Sequence, residues 1–440
     1  MSEFAQVQAE LTARGYSRMV FDLSRIAEVL DLLGSPQRTY PSIHIAGTNG
    51  KTTTARIVDS LLRAHGLRSG CFTSPALADV RDQISLNGSP LSEERFVEVY
   101  REIAPVVRLW EEREGNEPLT PFELTTAMAM AAFADAPVDV AVVEAGLGGT
   151  DDATNVLRAG TAVLTPVGLD HMEWLGDTIE DIADAKAGIV HDGATVICAQ
   201  QPAEAMPPIV RRCLETGATL AVQGRDIDLR QRVLAVGGQV LTIRGLGGLY
   251  EDLFIPLHGY HQAQNATVGL AAVEAFLGIW DGSRRLDLDV VRAGLADARS
   301  PGRMERVGTA PTILLDVAHN VPAMAAVVAT LREEFVFSRL IGVVAILSDK
   351  DAAGLIELLD PVVDLLICTR NSSPRTRSAD ELGDIAVGIL GHERVRVEPS
   401  VAKALTLARA EAAADEGGGV LVTGSVATVG DARPRLFTSG

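Results

Sequence analysis

The chain has 440 residues, of which 47% are hydrophobic and only 4% aromatic, so it can fill two domains of ordinary size with mostly aliphatic cores. Its net charge of −19 and its lack of a long basic run argue against a nucleic-acid partner. The four cysteines lie apart without the spacing of a zinc site, and no apolar run reaches the roughly 18 residues that span a membrane, which together predict a cytoplasmic protein without membrane contact.

The first chemical motif follows a stretch that is predicted to be helical, residues 1–40. An apolar strand end at residues 44–46 leads into a glycine loop and then into a helix with apolar residues at i, i+3 and i+4. Glycines let such a loop turn tightly around phosphate, a lysine adds positive charge, and a threonine hydroxyl can reach a phosphate-bound magnesium ion. The predicted phosphate site comprises Gly47, Thr48, Asn49, Gly50, Lys51, Thr52 and Thr53. Because its first glycine lies only three residues before Gly50, unlike the usual motif, an ordinary strand-to-helix turn is the alternative.

Two later strand ends carry polar side chains that could face this loop. Ser74 follows a short predicted strand at residues 68–73, and such loops line the crevice of an open α/β sheet, although a simple turn serine is the alternative. Glu144 ends a predicted buried strand at residues 139–144 and precedes a glycine-rich turn. A carboxylate fixed there suits a nucleotide-bound magnesium ion, whereas a solvated strand-end glutamate is the alternative.

His171 and Lys186 are candidates whose role the residues alone leave open. His171 follows an acid at a strand end, so it could be a metal ligand or a capping group, and magnesium usually takes harder ligands. Lys186 lies on the apolar face of a predicted helix, where burial would lower the pKa of its amine. A neutral lysine can react with carbon dioxide to give a carbamate that bridges metals. A lysine that reaches solvent or pairs with Asp170 or Glu144 is the alternative.

The second half of the chain predicts a change of domain. Residues 205–258 predict a short helix and a β-hairpin around Gly237–Gly238, and helical spacing returns at residues 261–276. A break just before Ser300 predicts two domains, residues 1–298 and residues 299–440.

From Thr312 onward, strands and helices alternate, which predicts a parallel sheet with helices on both faces. Asp316, His319 and Ser425 are then expected at or just after strand ends, in the crevice. The predicted fold is α/β, with an N-terminal P-loop ATPase domain built on a parallel-rich sheet and a smaller, Rossmann-like C-terminal α/β domain.

In this order, the motifs resemble those of the folylpolyglutamate synthase and dihydrofolate synthase family, within the Mur-type amide ligases. The resemblance covers nearly the whole chain and rests on residues 33–37, 44–51, 73–75, 144–149, 152–155, 170–171, 175–176, 186–189, 261–266, 301–303, 316–320, 349–351 and 423–425. In this family, ATP phosphorylates a substrate carboxylate and the amine of glutamate attacks the acyl phosphate. The resemblance therefore implies an ATP-dependent ligase that joins L-glutamate to dihydropteroate, to reduced folylpolyglutamates, or to both.

The resemblance also implies a role for each candidate residue. The phosphate loop would hold ATP, together with Asn265, Arg303 and Asp316. Magnesium would be surrounded by Thr52, Ser74, Glu144, His171 and Lys186, with Lys186 carbamylated to complete a second metal site. The catalytic residues would be Lys51, Lys186, Asp316 and His319. The substrates would meet Ser74, Asp152, Thr154, His319 and Ser425. A monovalent cation is a further candidate cofactor, and a monomer is expected.

The chain departs from the family pattern near the expected folate site. Ala76, Gln83 and Thr150 stand where the family has a histidine and two arginines. Two alternatives to a folate enzyme follow. One is a Mur-type amide ligase that joins an amino acid to a non-folate carboxylate, and the other is a catalytically silent nucleotide-binding homologue. The residues leave open whether one or both folate steps occur and how long the glutamate tail becomes.

Overall fold

Three β-sheets organise the described part of the molecule. The computed structural model describes residues 2–15, 20–280, 282 and 284–437, and within them the sheets have eight, three and six strands. The α/β class predicted from the sequence is confirmed. The predicted helical stretch 1–40 contains two helices, although residues 1 and 16–19 lie outside the described residues. No described helix combines the length and apolar character that crossing a membrane requires.

The eight-stranded sheet has the strand before the phosphate loop in its interior. Its strands are β1 Ser42–Ala46, β2 Ser69–Phe72, β3 Ile84–Leu86, β4 Ser89–Pro90, β5 Val140–Glu144, β6 Thr161–Leu164, β7 Thr195–Cys198 and β8 Thr219–Val222. They lie in the order β4-β3-β2-β5-β1-β6-β7-β8, in which β3 and β4 add an antiparallel edge to six parallel strands. Because parallel strands end at one edge of a sheet, the segments that follow β1, β5 and β6 meet there.

Helices cover both faces of this sheet. They are α1 Glu3–Ala13, α2 Leu23–Leu32, α3 Lys51–Ala64, α4 Glu93–Glu111, α5 Pro121–Asp135, α6 Met172–Leu175, α7 Ile179–Ala187, α8 Met206–Thr216, α9 Tyr260–Phe276 and α10 Leu288–Asp297. One buried core joins α3, α9 and α10 to one face of the sheet, and another joins α1, α2, α4 and α5 to the other face. Helix α5 begins where the sequence predicts, because Thr120 and Glu123 form a reciprocal capping box and Pro121 occupies the first helical position.

A three-stranded antiparallel sheet packs beside α9. It consists of β9 Asp228–Ala235, β10 Gly238–Arg244 and β11 Leu249–Ile255, in the order β11-β10-β9. Gly237, with a φ of +78°, lies in the turn between β9 and β10, where the left-handed conformation favours glycine. The hairpin that the sequence predicts here is confirmed.

The third sheet forms the core of the C-terminal half. Its strands are β12 Glu305–Thr309, β13 Thr312–Leu315, β14 Leu340–Val344, β15 Leu365–Arg370, β16 Val395–Ser400 and β17 Gly419–Thr423, in the order β12-β13-β17-β14-β15-β16. Its helices are α11 Val321–Glu334, α12 Ala352–Leu359, α13 Ala379–Leu390, α14 Val401–Ala413 and α15 Val426–Phe437. The predicted alternation is confirmed, with two buried cores on opposite faces. The antiparallel edge strand β12 and the last helix α15 are additions that the sequence analysis does not predict.

Candidate active site

The phosphate loop turns from β1 into α3, as its glycines predict. Gly47 has a φ of +146°, and a Cβ atom there would lie 1.9 Å from Thr165 Oγ1, so a larger residue does not fit. Gly50 has a φ of +90°, and its Cβ would lie 2.5 Å from Asn265 Oδ1. The loop therefore passes close to Asn265, one of the predicted ATP contacts.

The start of α3 supplies the amides that can bind an anion. The N–H groups of Thr48 and Asn49 donate to the Pro166 carbonyl at 2.9 and 3.3 Å. The first N–H groups of α3, in contrast, have no intrahelical acceptor, as in any α-helix, and the helix dipole adds positive charge there. The amine of Lys51 folds back over the same place, 3.0 Å from the Gly47 carbonyl oxygen. An anion would thus meet helix amides and an ammonium group together.

Glu144 lies at the end of β5, buried beside the start of α3. Its Oε1 accepts the Thr52 hydroxyl at 2.9 Å, and its Oε2 accepts the Ser74 N–H at 3.1 Å. Arg303 donates to the same Thr52 hydroxyl at 2.9 Å. Burial raises the pKa of Glu144 above its ordinary value, although the charges of Lys51 and Arg303 oppose the change. Three of the predicted metal ligands are therefore adjacent, and the ionised carboxylate would be stabilised by a cation.

Lys186 also contacts the phosphate loop. Its Nζ donates to the Gly47 carbonyl at 2.9 Å, and the residue is 4% exposed. Within the described residues it forms no ion pair with Asp170 or Glu144, since Asp170 pairs instead with Lys350. Burial, and then the charge of Lys51, lower the pKa of Lys186 to about 7. At neutral pH much of this amine is therefore uncharged, which is the form that reacts with carbon dioxide.

His171 and Asp170 follow β6, and Asp170 contacts the C-terminal half. Burial and the charges of Lys350 and Lys51 lower the pKa of His171 to about 4, against the opposing effect of Asp170. Its imidazole is therefore neutral near pH 7 and can be a ligand. Burial opposes ionisation of Asp170, but the hydrogen bond from His319 and the charges of His171 and Lys350 outweigh burial and hold the pKa of Asp170 well below its usual range.

Several contacts join the phosphate loop to the third sheet, across what we call the cleft. Asn49 and Asn320 exchange amide hydrogen bonds of 3.2 and 3.1 Å, and Asn320 also donates to Asp170 at 3.0 Å. Lys350 Nζ lies 2.5 Å from Asp170 Oδ1, and His319 Nε2 lies 3.5 Å from Asp170 Oδ2. Of the C-terminal residues expected at or just after strand ends, His319 is thus brought to Asp170, across the cleft from the third sheet.

Asp316 is buried on the C-terminal side of this cleft. Its two carboxylate oxygens accept the N–H groups of Met304 and Ala318, each at 2.8 Å. Burial raises the pKa of Asp316 to about 6, although these N–H groups oppose the change. His319, its predicted partner in catalysis, turns its Nδ1 to the Val317 carbonyl at 3.0 Å and its Nε2 toward Asp170. The two side chains therefore reach different parts of the cleft.

Asp152 and Thr154 brace the turn that follows Glu144. Asp152 accepts the N–H groups of Leu147 and Thr154 at 2.6 and 3.0 Å. The Thr154 hydroxyl also lies 2.8 Å from His44 Nε2, and burial lowers the pKa of His44 to about 3. All three polar side chains are buried, so they fix the shape of the turn. Sequence reasoning assigns no role to His44, although a histidine between apolar strand residues is the signal that could have marked it.

Ser425 lies deeper in the C-terminal half. Its hydroxyl accepts a hydrogen bond from Asn371 at 3.0 Å and lies 2.7 Å from Thr428 Oγ1. The residue is 2% exposed. Both of these partners belong to the C-terminal half, so this predicted substrate residue is not brought against the phosphate loop as Lys186 and Glu144 are.

The donor set around Glu144 fits a hard divalent cation. Over the residues that the structure describes, no group of three or more His, Cys, Asp and Glu side chains could hold a metal alone. Magnesium, however, usually keeps several waters and binds one or two carboxylates together with substrate phosphates. Glu144, with the Thr52 hydroxyl at the start of α3, supplies the protein's share of such a site.

Comparison with known proteins identifies both halves of the chain. Residues 45–273 match the Mur ligase middle domain, and residues 302–426 match the glutamate ligase domain of Mur ligases. The chain is 45% identical over 434 residues to the dihydrofolate synthase/folylpolyglutamate synthase of Mycobacterium tuberculosis, covering 93% of this chain and 89% of that protein. It is 33% identical over 407 residues to the Escherichia coli protein of the same name, covering 92% and 89%.

Solved structures resemble the whole chain. The Mycobacterium tuberculosis folylpolyglutamate synthase complexed with ADP superposes with a TM-score of 0.94 at 44% identity, covering 99% of this chain and 98% of that one. The Escherichia coli FolC complex with DHPP and ADP superposes with a TM-score of 0.85 at 30% identity, with the same coverage.

Proposed function

The chain belongs to the dihydrofolate synthase/folylpolyglutamate synthase family of Mur ligases, and from that membership we propose how its residues act. It is an ATP-dependent ligase that joins the amine of L-glutamate to a folate-type carboxylate. The observation that carries the assignment of residues is the cluster at the start of α3, where Lys51 and Lys186 share the Gly47 carbonyl and Thr52 links Glu144 to Arg303.

The reaction brings two anions together and then excludes water. A carboxylate oxygen of the substrate attacks the γ-phosphorus of ATP and ADP leaves. The glutamate amine then attacks the acyl carbon, phosphate leaves, and the amine loses a proton. Because the carboxylate and the triphosphate repel each other, Lys51, Arg303 and the amides of α3 must offset their charge. A cleft between two sheets suits the second step, since water would hydrolyse the acyl phosphate.

We propose that Thr52, Ser74, Glu144 and His171 hold magnesium and that carbamylated Lys186 completes a second metal site. When bound, magnesium offsets charge on the transferring phosphoryl group. The buried carboxylate of Glu144, the neutral imidazole of His171 and the lowered pKa of Lys186, about 7, support this proposal. Carbamate formation joins the lysine nitrogen to the carbon of carbon dioxide and releases a proton. A monovalent cation is a further proposed cofactor, which a comparison of potassium and sodium salts in the assay would test.

The remaining residues are assigned by their contacts. We assign Asn265, Arg303 and Asp316 to ATP, because the first two touch the phosphate-loop residues Gly50 and Thr52. We assign the incoming glutamate to the neighbourhood of two C-terminal residues, His319 and Ser425. Ser74, Asp152 and Thr154 are assigned to the side of the carboxylate substrate, along the turn after Glu144.

We propose two domains, residues 1–298 and residues 299–440, in a monomer without nucleic-acid or membrane partners. Helix α10 ends at Asp297 and the third sheet begins at Glu305, which supports the boundary. The four cysteines are free and buried, which supports the cytoplasm as the compartment.

One assay tests the function and the substrate class. ADP release is measured with magnesium and L-glutamate, in the presence of dihydropteroate, of tetrahydrofolate, or of no added carboxylate. Turnover with either pterin is expected and identifies the step that the enzyme catalyses. If protein that still binds ATP released no ADP with either pterin, the folate assignment would be contradicted. Ala76, Gln83 and Thr150 would then be the positions at which to seek the determinants of another carboxylate.

A further inference from the structure

A second polar contact joins the two halves of the molecule, away from the predicted reaction site. Glu334, the last residue of α11, has a side chain that is only 3% exposed. Its Oε1 accepts the Gly259 N–H at 2.7 Å and pairs with the Arg232 guanidinium, while its Oε2 lies 2.9 Å from His258 Nδ1. One carboxylate of the C-terminal half is thus held by three groups of the N-terminal half. We call Glu334, Arg232, His258 and Gly259 the Glu334 clamp.

The Glu334 clamp is attached to the helix that touches the phosphate loop. Gly259 is the N-cap of α9 and has a φ of +102°. A carboxylate at a helix N-terminus is stabilised by the free N–H groups and the dipole. Six residues further along α9, Asn265 lies against Gly50 and donates to Gln262 at 3.0 Å. Fewer than two helical turns therefore separate the Glu334 clamp from a predicted nucleotide contact.

Helix α11 is held at both of its ends. At its N-terminus, Asn320 caps the helix and contacts Asn49 and Asp170 in the cleft. At its C-terminus, the last residue, Glu334, is held by the other members of the Glu334 clamp. The 14 residues of α11 span about 21 Å at 1.5 Å per residue, so the two attachments are far apart. A helix fixed at two distant points cannot swing about either one, so the clamp restricts the angle between the third sheet and the phosphate loop.

The surroundings keep the carboxylate of Glu334 ionised. Burial alone would raise its pKa, but the hydrogen bonds from His258 and Gly259 and the charge of Arg232 outweigh burial and keep the pKa below its ordinary value. Loss of the charge of Glu334 would take the better-buried of two carboxylate partners from the guanidinium of Arg232. Arg232, at 9% side-chain exposure, also pairs with Glu333, whose side chain is 50% exposed.

We propose that Glu334 is a positioning residue for the nucleotide site. By clamping α11 to the start of α9, it aligns Asp316 and Arg303 of the C-terminal half with Asn265 and the phosphate loop. The inference rests on the proposed function, because it concerns the ATP contacts assigned there.

The test compares two neighbouring glutamates. Glu334→Gln keeps the shape of the side chain but removes the charge that pairs with Arg232. Glu333→Gln is the matched control, because a half-exposed ion pair contributes little. Affinity for a non-hydrolysable ATP analogue with magnesium is measured by calorimetry. The spread of distances between spin labels at Leu214→Cys and Ala410→Cys, one on each half, is measured in the same variants.

For Glu334→Gln we expect the analogue to bind about tenfold more weakly and the distances to spread more widely. For Glu333→Gln we expect both values to stay within about twofold of the wild type. Wild-type behaviour of Glu334→Gln, or an equal effect of the two variants, would overturn the proposal. If Glu334→Gln does not fold, Arg232→Met takes its place, and tight binding with an unchanged spread of distances in that variant overturns it as well. Neither measurement uses a folate, so a failure of turnover with pterins leaves this test intact.

Discussion

Two places in the cleft differ in how their buried charges are paired. On the wall formed by the first sheet, Glu144 and Lys186 bond only to neutral groups, namely a hydroxyl, an amide N–H and a carbonyl, within the part of the chain that the structure describes. Asp170 follows a strand of the same sheet, but it pairs across the cleft with Lys350 and His319 of the other wall. Glu144 and Lys186 thus lack the charged partner that Asp170 has.

This difference in pairing separates side chains that are suited to the reaction from side chains that hold the two walls of the cleft together. Burial raises the pKa of Glu144 and lowers that of Lys186 to about 7, so both side chains are driven toward their neutral forms. Such groups cost stability unless a cation or an anion joins them, and they are therefore typical of functional sites. Asp170, in contrast, already has an opposite charge beside it in Lys350, and this ion pair holds the two walls together.

The few lysines of the chain are concentrated at the cleft. Of the 39 lysines and arginines, only four are lysines, Lys51, Lys186, Lys350 and Lys403. The first three lie at the cleft, whereas Lys403 is exposed on α14. An ammonium group can lose its proton and react, which a guanidinium group does not do. Three of the four lysines thus lie where a compact, titratable amine can serve the cleft.

The largest effect is expected from Lys51→Ala, which removes the ammonium group at the start of α3. We expect ADP release to fall at least about a thousandfold, because this charge opposes the charge that develops on the transferring phosphoryl group. Steady-state ADP release with magnesium, glutamate and the folate substrate measures the effect. Lys403→Ala, on the exposed face of α14, is the control and should retain the wild-type rate. A near-normal rate in Lys51→Ala would remove the phosphate loop from the mechanism.

The second largest effect is expected from Lys186→Ala. The variant should lose at least about a hundredfold in rate, because no carbamate can form to complete the metal site. Added short carboxylates such as acetate should restore part of the activity, since they can supply the missing anion in the space that the side chain leaves. Chloride at the same ionic strength is the control for a general salt effect. Full activity of the variant without any additive would exclude the carbamate.

A third prediction separates function from stability on the first wall. Glu144→Gln should lower the rate about a hundredfold, while the free energy of unfolding without magnesium should not fall, because an uncompensated buried carboxylate has been removed. Glu123→Gln is the matched comparison, since Glu123 is equally buried but lies 3.0 Å from Arg25. That variant should lose about 1 to 3 kcal/mol in urea unfolding. Equal losses of stability in the two variants would contradict the distinction between a buried carboxylate with a charged partner and one without.

Much of the first wall could be predicted from the sequence, for a simple reason. Parallel strands end at one edge, so any polar residue that follows a buried apolar strand becomes a candidate for the site. Ser74 and Glu144 are predicted in this way, whereas Gly47 and Gly50 are predicted from the glycine loop itself. The role of Lys186 could not be, because helical spacing showed burial but not the acceptor, which is the Gly47 carbonyl.

Contacts between the two halves could not be predicted, because they depend on how one sheet lies against the other. Asn320 and Lys350 follow strands of the third sheet, yet their partners Asn49 and Asp170 follow strands of the first sheet. Nothing in the sequence around Glu334 marks it, since it ends a helix, where a carboxylate is not even favoured by the dipole. Sequence spacing carries no information about the group on another element that a side chain meets.

The smallest effect is expected from a substitution of Asp316, which shares features with both the paired and the unpaired buried charges. Its oxygens accept two N–H groups at 2.8 Å, as in a satisfied carboxylate, yet burial raises its pKa to about 6, as in an unsatisfied one. An asparagine side chain offers one acceptor oxygen instead of two, so Asp316→Asn should leave an N–H unpaired. We expect the variant to lose about 1 to 2 kcal/mol of unfolding free energy near pH 4.

The pH dependence of the unfolding free energy lost in Asp316→Asn shows whether burial or the two N–H groups dominate at Asp316. Between the unfolded value of 3.8 and the folded value of about 6, the folded wild type holds a proton that the unfolded chain has released. The contribution of Asp316 to stability therefore falls as the pH rises through this window, whereas asparagine has no such dependence. The stability difference between wild type and Asp316→Asn, measured by urea unfolding, should be largest near pH 4 and shrink toward pH 6. A difference that stays constant with pH would mean that the two N–H groups fully offset burial, and would contradict the raised pKa of Asp316.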